Sequence, residues 1–98
     1  MVIEIELEDF LKNKLDEGFG VDEKYNILVD DIFFQIEFDD WNNDYHDGTI
    51  IKVLNTITKE EENIYSDCQH CNNEWQYNLI KEVLFEVDTL KTRTKSLV

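Results

Sequence analysis

The 98-residue chain reads as an α+β fold: a small antiparallel sheet of three to four strands with an N-terminal and a C-terminal helix, in the order α-β-β-β-α. Three observations predict it. Apolar residues recur at helical spacing near both ends. A strictly alternating run occupies the middle, with Ile32, Phe34, Ile36 and Phe38 on one face. Proline is absent, and only Gly18, Gly20 and Gly48 punctuate the chain.

The first segment opens with alternation, Ile3, Ile5 and Leu7 against Glu4, Glu6 and Glu8, and then changes period. Leu7, Phe10, Leu11 and Leu15 fall on one helical face, with Lys12, Lys14, Asp16 and Glu17 opposite. The spacing predicts a helix over 6–17 closed by Gly18, with residues 2–5 either its first turn or a short strand. Residues 25–29 are rich in branched and aromatic side chains and predict a strand; Asp30-Asp31 supplies a tight turn or bulge before the strand over 32–38. Residues 39–48 read as a polar loop ending in the turn-favouring pair Asp47-Gly48. A further strand is expected over 49–57, with Ile51, Val53 and Ile57 facing inward. Thr58-Lys59-Glu60-Glu61 matches a capping box, but a charged hairpin turn is the preferred reading, with 64–66 a short returning strand. In the last element Asn73, with Gln76 three residues on, caps a helix whose apolar stripe runs from Trp75 through Leu79, Val83 and Val87 to Leu90. Residues 1–90 form a single acidic domain, and 91–98 a basic, flexible tail.

The chain holds 23 Asp and Glu against 9 Lys and Arg, a formal charge of −14. Ordinary small domains carry a charge of magnitude roughly 2–8. Residues 1–90 hold all 23 acids and 6 of the bases, so the body alone carries −17. Direct nucleic-acid binding and attachment to anionic membranes both need a basic patch, and both are excluded on this ground. No run of about 18 apolar residues occurs, and the N-terminus lacks the basic start and apolar stretch of a secretory signal, so a cytoplasmic location is expected.

The acids are grouped. Asp30, Asp31, Glu37, Asp39, Asp40, Asp44 and Asp47 fall in one stretch without a Lys or Arg, and Trp41 and Tyr45 sit inside it. Glu60, Glu61 and Glu62 form a second group. Holding so many carboxylates on a small body costs stability through self-repulsion. A function supplies a reason: alternate strand residues lie about 6.6–6.8 Å apart, close to two axial phosphate steps of about 3.4 Å in a duplex. Rows of carboxylates at this spacing can occupy a basic groove meant for nucleic acid, with Trp41 and Tyr45 as apolar anchors. The plain alternative is a solvated acidic protein whose two aromatics tuck under the loop.

Other chemistry is poorly served. Cys68-Gln69-His70-Cys71 is half a zinc site; Cys68 and Cys71 with His46 are the weaker, metal-binding alternative, and two ordinary thiols are the favoured reading. A redox pair would want a preceding strand in a βαβ setting. The stretch from Asp40 fails a calcium loop at position 6, Tyr45, and position 12, Ile51. No nucleophile elbow or phosphate-cradling loop is present. Neither an enzyme nor a cofactor is expected.

The acid runs on an α–β–β–β–α body resemble the small, strongly acidic inhibitors of host defence made by phages and mobile elements, the DNA-mimicking anti-CRISPR and anti-restriction proteins. The resemblance covers composition and element order along the whole chain and carries no diagnostic motif. It implies an inhibitor that blocks the basic nucleic-acid-binding site of a nuclease or CRISPR effector, acting in the host cytoplasm if the chain is phage-encoded. The alternative with a similar interface is an immunity protein or antitoxin neutralising a basic nuclease or toxin. The protein is expected to act as a monomer or homodimer.

Overall fold

The computed structural model describes residues 2–3, 6–20, 23–68 and 73–96. In chain order the elements are β1 (Val2–Ile3), α1 (Leu7–Glu17), β2 (Lys24–Val29), β3 (Ile32–Asn42), β4 (Asp47–Asn55), β5 (Glu61–Tyr65) and α2 (Trp75–Ser96). The strands β2 to β5 form an antiparallel meander, and β1 adds a two-residue parallel edge against Asn26 and Ile27. The α+β architecture matches the sequence expectation, with the returning strand completing a four-stranded antiparallel sheet.

Period-2 alternation gives the sheet one apolar face. Ile27, Ile32, Phe34, Ile36, Phe38, Ile51, Val53 and Ile64 are all buried. Onto that face α1 lays Leu7, Phe10 and Leu11, and α2 lays Leu79, Val83, Val87 and Leu90, in one continuous core. Glu8 and Asp9 lie in the first turn of α1, where they complement the helix dipole. Gly18 closes that helix at φ 101°, donating its N–H to the Lys14 carbonyl at 3.0 Å. In α2 the Glu74 carbonyl accepts the N–H of Asn78, so Glu74, and not Asn73, stands at the helix entry.

The β2–β3 connection is the expected tight turn. Asp30 and Asp31 both take positive φ, 47° and 67°, the sign that a two-residue hairpin turn matched to strand twist requires. The β4–β5 connection is a hairpin turn, as preferred over a helix start. Three expectations fail nearby. The strand over 49–57 ends at Asn55, and Ile57 is 58 % exposed in the turn. The inward position belongs instead to Asn55, which is fully buried. Its Nδ2 donates to Thr94 Oγ1 and the Leu90 carbonyl, and its Oδ1 accepts from the N–H groups of Ile57 and Thr58. Finally, residues 91–96 are not a loose tail: α2 runs on to Ser96, because Thr94 is buried against Asn55, and Lys91 and Arg93 pair with Asp30 and Glu60.

Candidate functional site: an acidic ribbon

The polar loop expected over 39–48 is mostly strand. β3 continues to Asn42 and β4 begins at Asp47, in the register Asp39↔Ile50, Asp40↔Thr49, Trp41↔Gly48 and Asn42↔Asp47. The true loop is only Asn43 to His46. Asn43 closes it: its N–H donates to the His46 carbonyl at 2.8 Å, and its Oδ1 accepts from the N–H groups of Tyr45 and His46.

The neighbouring strands stop short of this hairpin. β2 begins at Lys24, opposite Glu37, and β5 ends at Tyr65, opposite Ile50. Beyond them the hairpin continues as a two-stranded ribbon, rising about 13 Å from Asp39 to its tip at 3.2–3.4 Å per residue. Its root is held by two devices. Below it, Phe38 stacks on Phe19 at 5.0 Å between centroids and meets Tyr25 edge-on at 6.0 Å. Beside it, Thr49 and Ser66, both buried, exchange hydrogen bonds: Thr49 N–H to Ser66 Oγ at 2.8 Å and Ser66 N–H to the Thr49 carbonyl at 2.9 Å.

The ribbon displays Asp39, Asp40, Asp44 and Asp47, the last three exposed. Asp40 and Asp47 point to the same ribbon face, as diagonal neighbours about 7 Å apart. Lys52 approaches Asp39 at 3.7 Å, a loose contact between half-exposed groups. Tyr45 stands out at 86 % exposure. Trp41 does not: its indole lies half-buried over Gly48, where a Cβ would meet Nε1 at 2.4 Å. Among the described residues, Trp41 Nε1 is the buried side-chain nitrogen or oxygen without a hydrogen-bond partner. Tyr45 thus stands exposed near the tip, whereas Trp41 packs on the ribbon itself.

The remaining acids go elsewhere. Asp30, Asp31 and Glu60 lie at the opposite end of β3, about 33 Å away along an 11-residue strand. There Lys91 contacts Asp30 at 2.7 Å and Asp88 at 3.3 Å, and Arg93 contacts Glu60 at 2.7 Å. The Asp30 hydrogen bond is the main reason the Lys91 ammonium is held above its usual range, against the opposing pull of desolvation; Asp88 adds to the rise. Glu37 sits on the open face of the sheet, flanked in register by Lys24 and Lys52. Glu61 and Glu62 lie on the edge strand β5. Of the acids grouped by sequence, Asp30, Asp31 and Glu60 therefore lie at one end of β3 beside Lys91 and Arg93, Asp39, Asp40, Asp44 and Asp47 lie at the other, and Glu37, Glu61 and Glu62 lie between.

The thiol expectation is overturned for Cys68, which is buried and disulfide-bonded. An oxidised sulfur offers no thiolate to a metal. His46 stands at the ribbon tip, and no group of three or more His, Cys, Asp or Glu among the described residues is arranged to hold a metal ion. Cys71 and His70 lie outside the described residues. Among the described residues no helix is long and apolar enough to cross a membrane. Sequence reasoning missed Asn43, Ser66 and Gly48 as the residues that build the ribbon; the run Asn42-Asn43-Asp44 was a turn signal in plain view, while the Thr49–Ser66 pair is visible only in three dimensions.

No protein-family model, curated protein or solved structure matches the chain.

Proposed function

We propose that this protein is a stoichiometric inhibitor whose β3–β4 ribbon enters the basic nucleic-acid-binding cleft of a defence enzyme, a nuclease or CRISPR effector, and excludes its substrate. One observation carries the reading: a two-stranded ribbon projects beyond its sheet and carries Asp39, Asp40, Asp44 and Asp47 with an exposed tyrosine at its tip. The paired backbone and closed turn of the hairpin set the carboxylates' positions along it before binding, so less backbone ordering remains to oppose association. The diagonal Asp40–Asp47 spacing is comparable to two axial phosphate steps, about 6.8 Å. Long-range attraction speeds encounter, and Tyr45 adds apolar contact once docked. On this reading the protein acts in the cytoplasm of the cell whose enzyme it blocks, catalyses nothing itself and needs no cofactor.

The experiment is affinity capture with the full chain as bait, beside a variant carrying Asp39→Asn, Asp40→Asn, Asp44→Asn and Asp47→Asn. The expected result is a basic nucleic-acid-processing enzyme retained at low salt, released at high salt, and bound at least about 100-fold more weakly by the folded variant. A retained partner that binds the neutralised ribbon equally well would refute the reading. Encoding of that partner as an adjacent toxin gene would instead make the protein its antitoxin.

A further inference from the structure

On α2, Leu79, Val83, Val87 and Leu90 turn into the core. A second stripe runs alongside them. At about 100° per residue, Tyr77, Lys81, Leu84, Phe85 and Asp88 share one sector of the helix. Tyr77 is 61 % and Phe85 67 % exposed, although both are large aromatics with no role in the core. The stripe continues through Ile80 into a groove against Glu8 and Lys12 of α1. Within it, Lys81 and Asp88 balance each other, on a protein whose overall charge is −14.

A two-fold contact needs a surface that complements itself, and this stripe does. Setting two copies of α2 antiparallel, with the dyad between Leu84 and Phe85, brings Leu84 of each copy against Phe85 of the other. Lys81 and Asp88 lie equally far from that dyad on either side, so each lysine faces the other copy's aspartate. Asp88 contacts its own Lys91 at 3.3 Å yet keeps a 70 % exposed side chain, and a carboxylate accepts from more than one cation. The Lys81 ammonium lies 5.3 Å from the centroid of the Tyr77 ring, which keeps it along the stripe.

We infer that the protein self-associates as a two-fold dimer through antiparallel α2 helices, centred on Leu84 and Phe85 and registered by two reciprocal Lys81–Asp88 pairs. The occupant is a second copy because the order cation, apolar pair, anion is its own complement when reversed. Lys81 and Asp88 offset each other within the contact, which limits the repulsion between two strongly acidic bodies there. Salt screens that repulsion and strengthens the dimer. Binding of a basic partner through the ribbon weakens with salt, so the two associations respond in opposite directions and fail independently.

Sedimentation of the full chain over a range of concentrations, at low and moderate salt, tests this. The expected species is a dimer of the 11.7 kDa chain whose population rises with salt. Lys81→Glu and Asp88→Lys each weaken dimerisation about tenfold or more, since like charges then face each other. An equimolar mixture of these two variants regains the wild-type affinity, because every cross-copy pair again joins opposite charges. Phe85→Asp abolishes the dimer, and all three positions are exposed, so circular dichroism stays unchanged. A chain that remains monomeric at millimolar concentration overturns the inference. A dimer indifferent to the charge reversals overturns it equally, since it must use another surface such as the β5 edge.

Discussion

Replacing Gly48 by alanine tests how the ribbon keeps its shape. The new Cβ would lie 2.4 Å from Trp41 Nε1, 2.5 Å from Cε2 and 2.6 Å from Cζ2. Ordinary contacts between heavy atoms are about 3.5–4.0 Å, so the indole must retreat by about 1 Å or more. The backbone itself does not forbid alanine, since Gly48 lies outside the left-handed region. Two free energies oppose each other. Lifting the ring exposes about 40–60 Å² of apolar surface, a loss of about 1–1.5 kcal/mol at 25 cal/mol per Å². It also frees the buried, unpartnered Nε1–H to meet water, which returns about 1–2 kcal/mol. The expected net change is therefore within about 1 kcal/mol, while the environment of Trp41 changes greatly. The assay is urea denaturation together with tryptophan emission, in a Trp75→Phe background so that Trp41 is the sole emitter. A clear red shift with nearly unchanged stability is expected. Unchanged emission, or a destabilisation above about 3 kcal/mol, would contradict this packing of Trp41 on Gly48.

Asn55→Ala removes four hydrogen bonds from a fully buried position and leaves the turn amides and the end of α2 partly unsatisfied, so denaturation should show a loss of about 3–4 kcal/mol with an unchanged denaturant slope; a loss under about 1 kcal/mol contradicts this. Asp31→Gly relieves a φ of 67° at a turn position while leaving the Asp30–Lys91 pair intact, and should raise stability by about 1 kcal/mol, read as a higher melting temperature. Two groups set an alkaline limb. Tyr25 donates its hydroxyl to Glu23, and this bond, partial burial and the negative charge nearby hold the phenol above its ordinary 10.0; Asp30 chiefly holds Lys91 above 10.5. Both folded-state values are raised, so this stability is complete below about pH 10 and is lost as pH rises through the folded values. Denaturation against pH should show the fall, and the double variant Tyr25→Phe, Lys91→Met should flatten it; a fall that the double variant leaves unchanged contradicts the assignment.

The sheet core was legible because its signal is local. Ile32, Phe34, Ile36 and Phe38 alternate without a break, and Leu7, Phe10 and Leu11 keep helical spacing, so periodicity alone assigns both. The ribbon was not legible because Asp39, Asp40 and Asn42 have low strand propensity. Their conformation is fixed by register with Asp47, Gly48 and Thr49, a pairing that local sequence does not encode. Extrapolating alternation one step too far placed Ile57 inside, when Asn55 ends the strand by exchanging an apolar slot for four hydrogen bonds. The end of α2 was misread for a related reason. Its apolar stripe stops at Leu90, and the next turn is held by the buried Thr94 and by ion pairs to turns remote in sequence. The acid groups were visible in the sequence, but their spread along the sheet follows from the length of β3.

The proposed function requires that the ribbon and nucleic acid compete for one surface. The most direct measurement is displacement: the protein is bound to its captured partner, and a short DNA or RNA substrate of that partner is titrated in at fixed salt. Mutually exclusive binding is expected, with the substrate releasing the protein and excess protein releasing the substrate. A stable ternary complex, holding substrate and protein together on one enzyme, would contradict it.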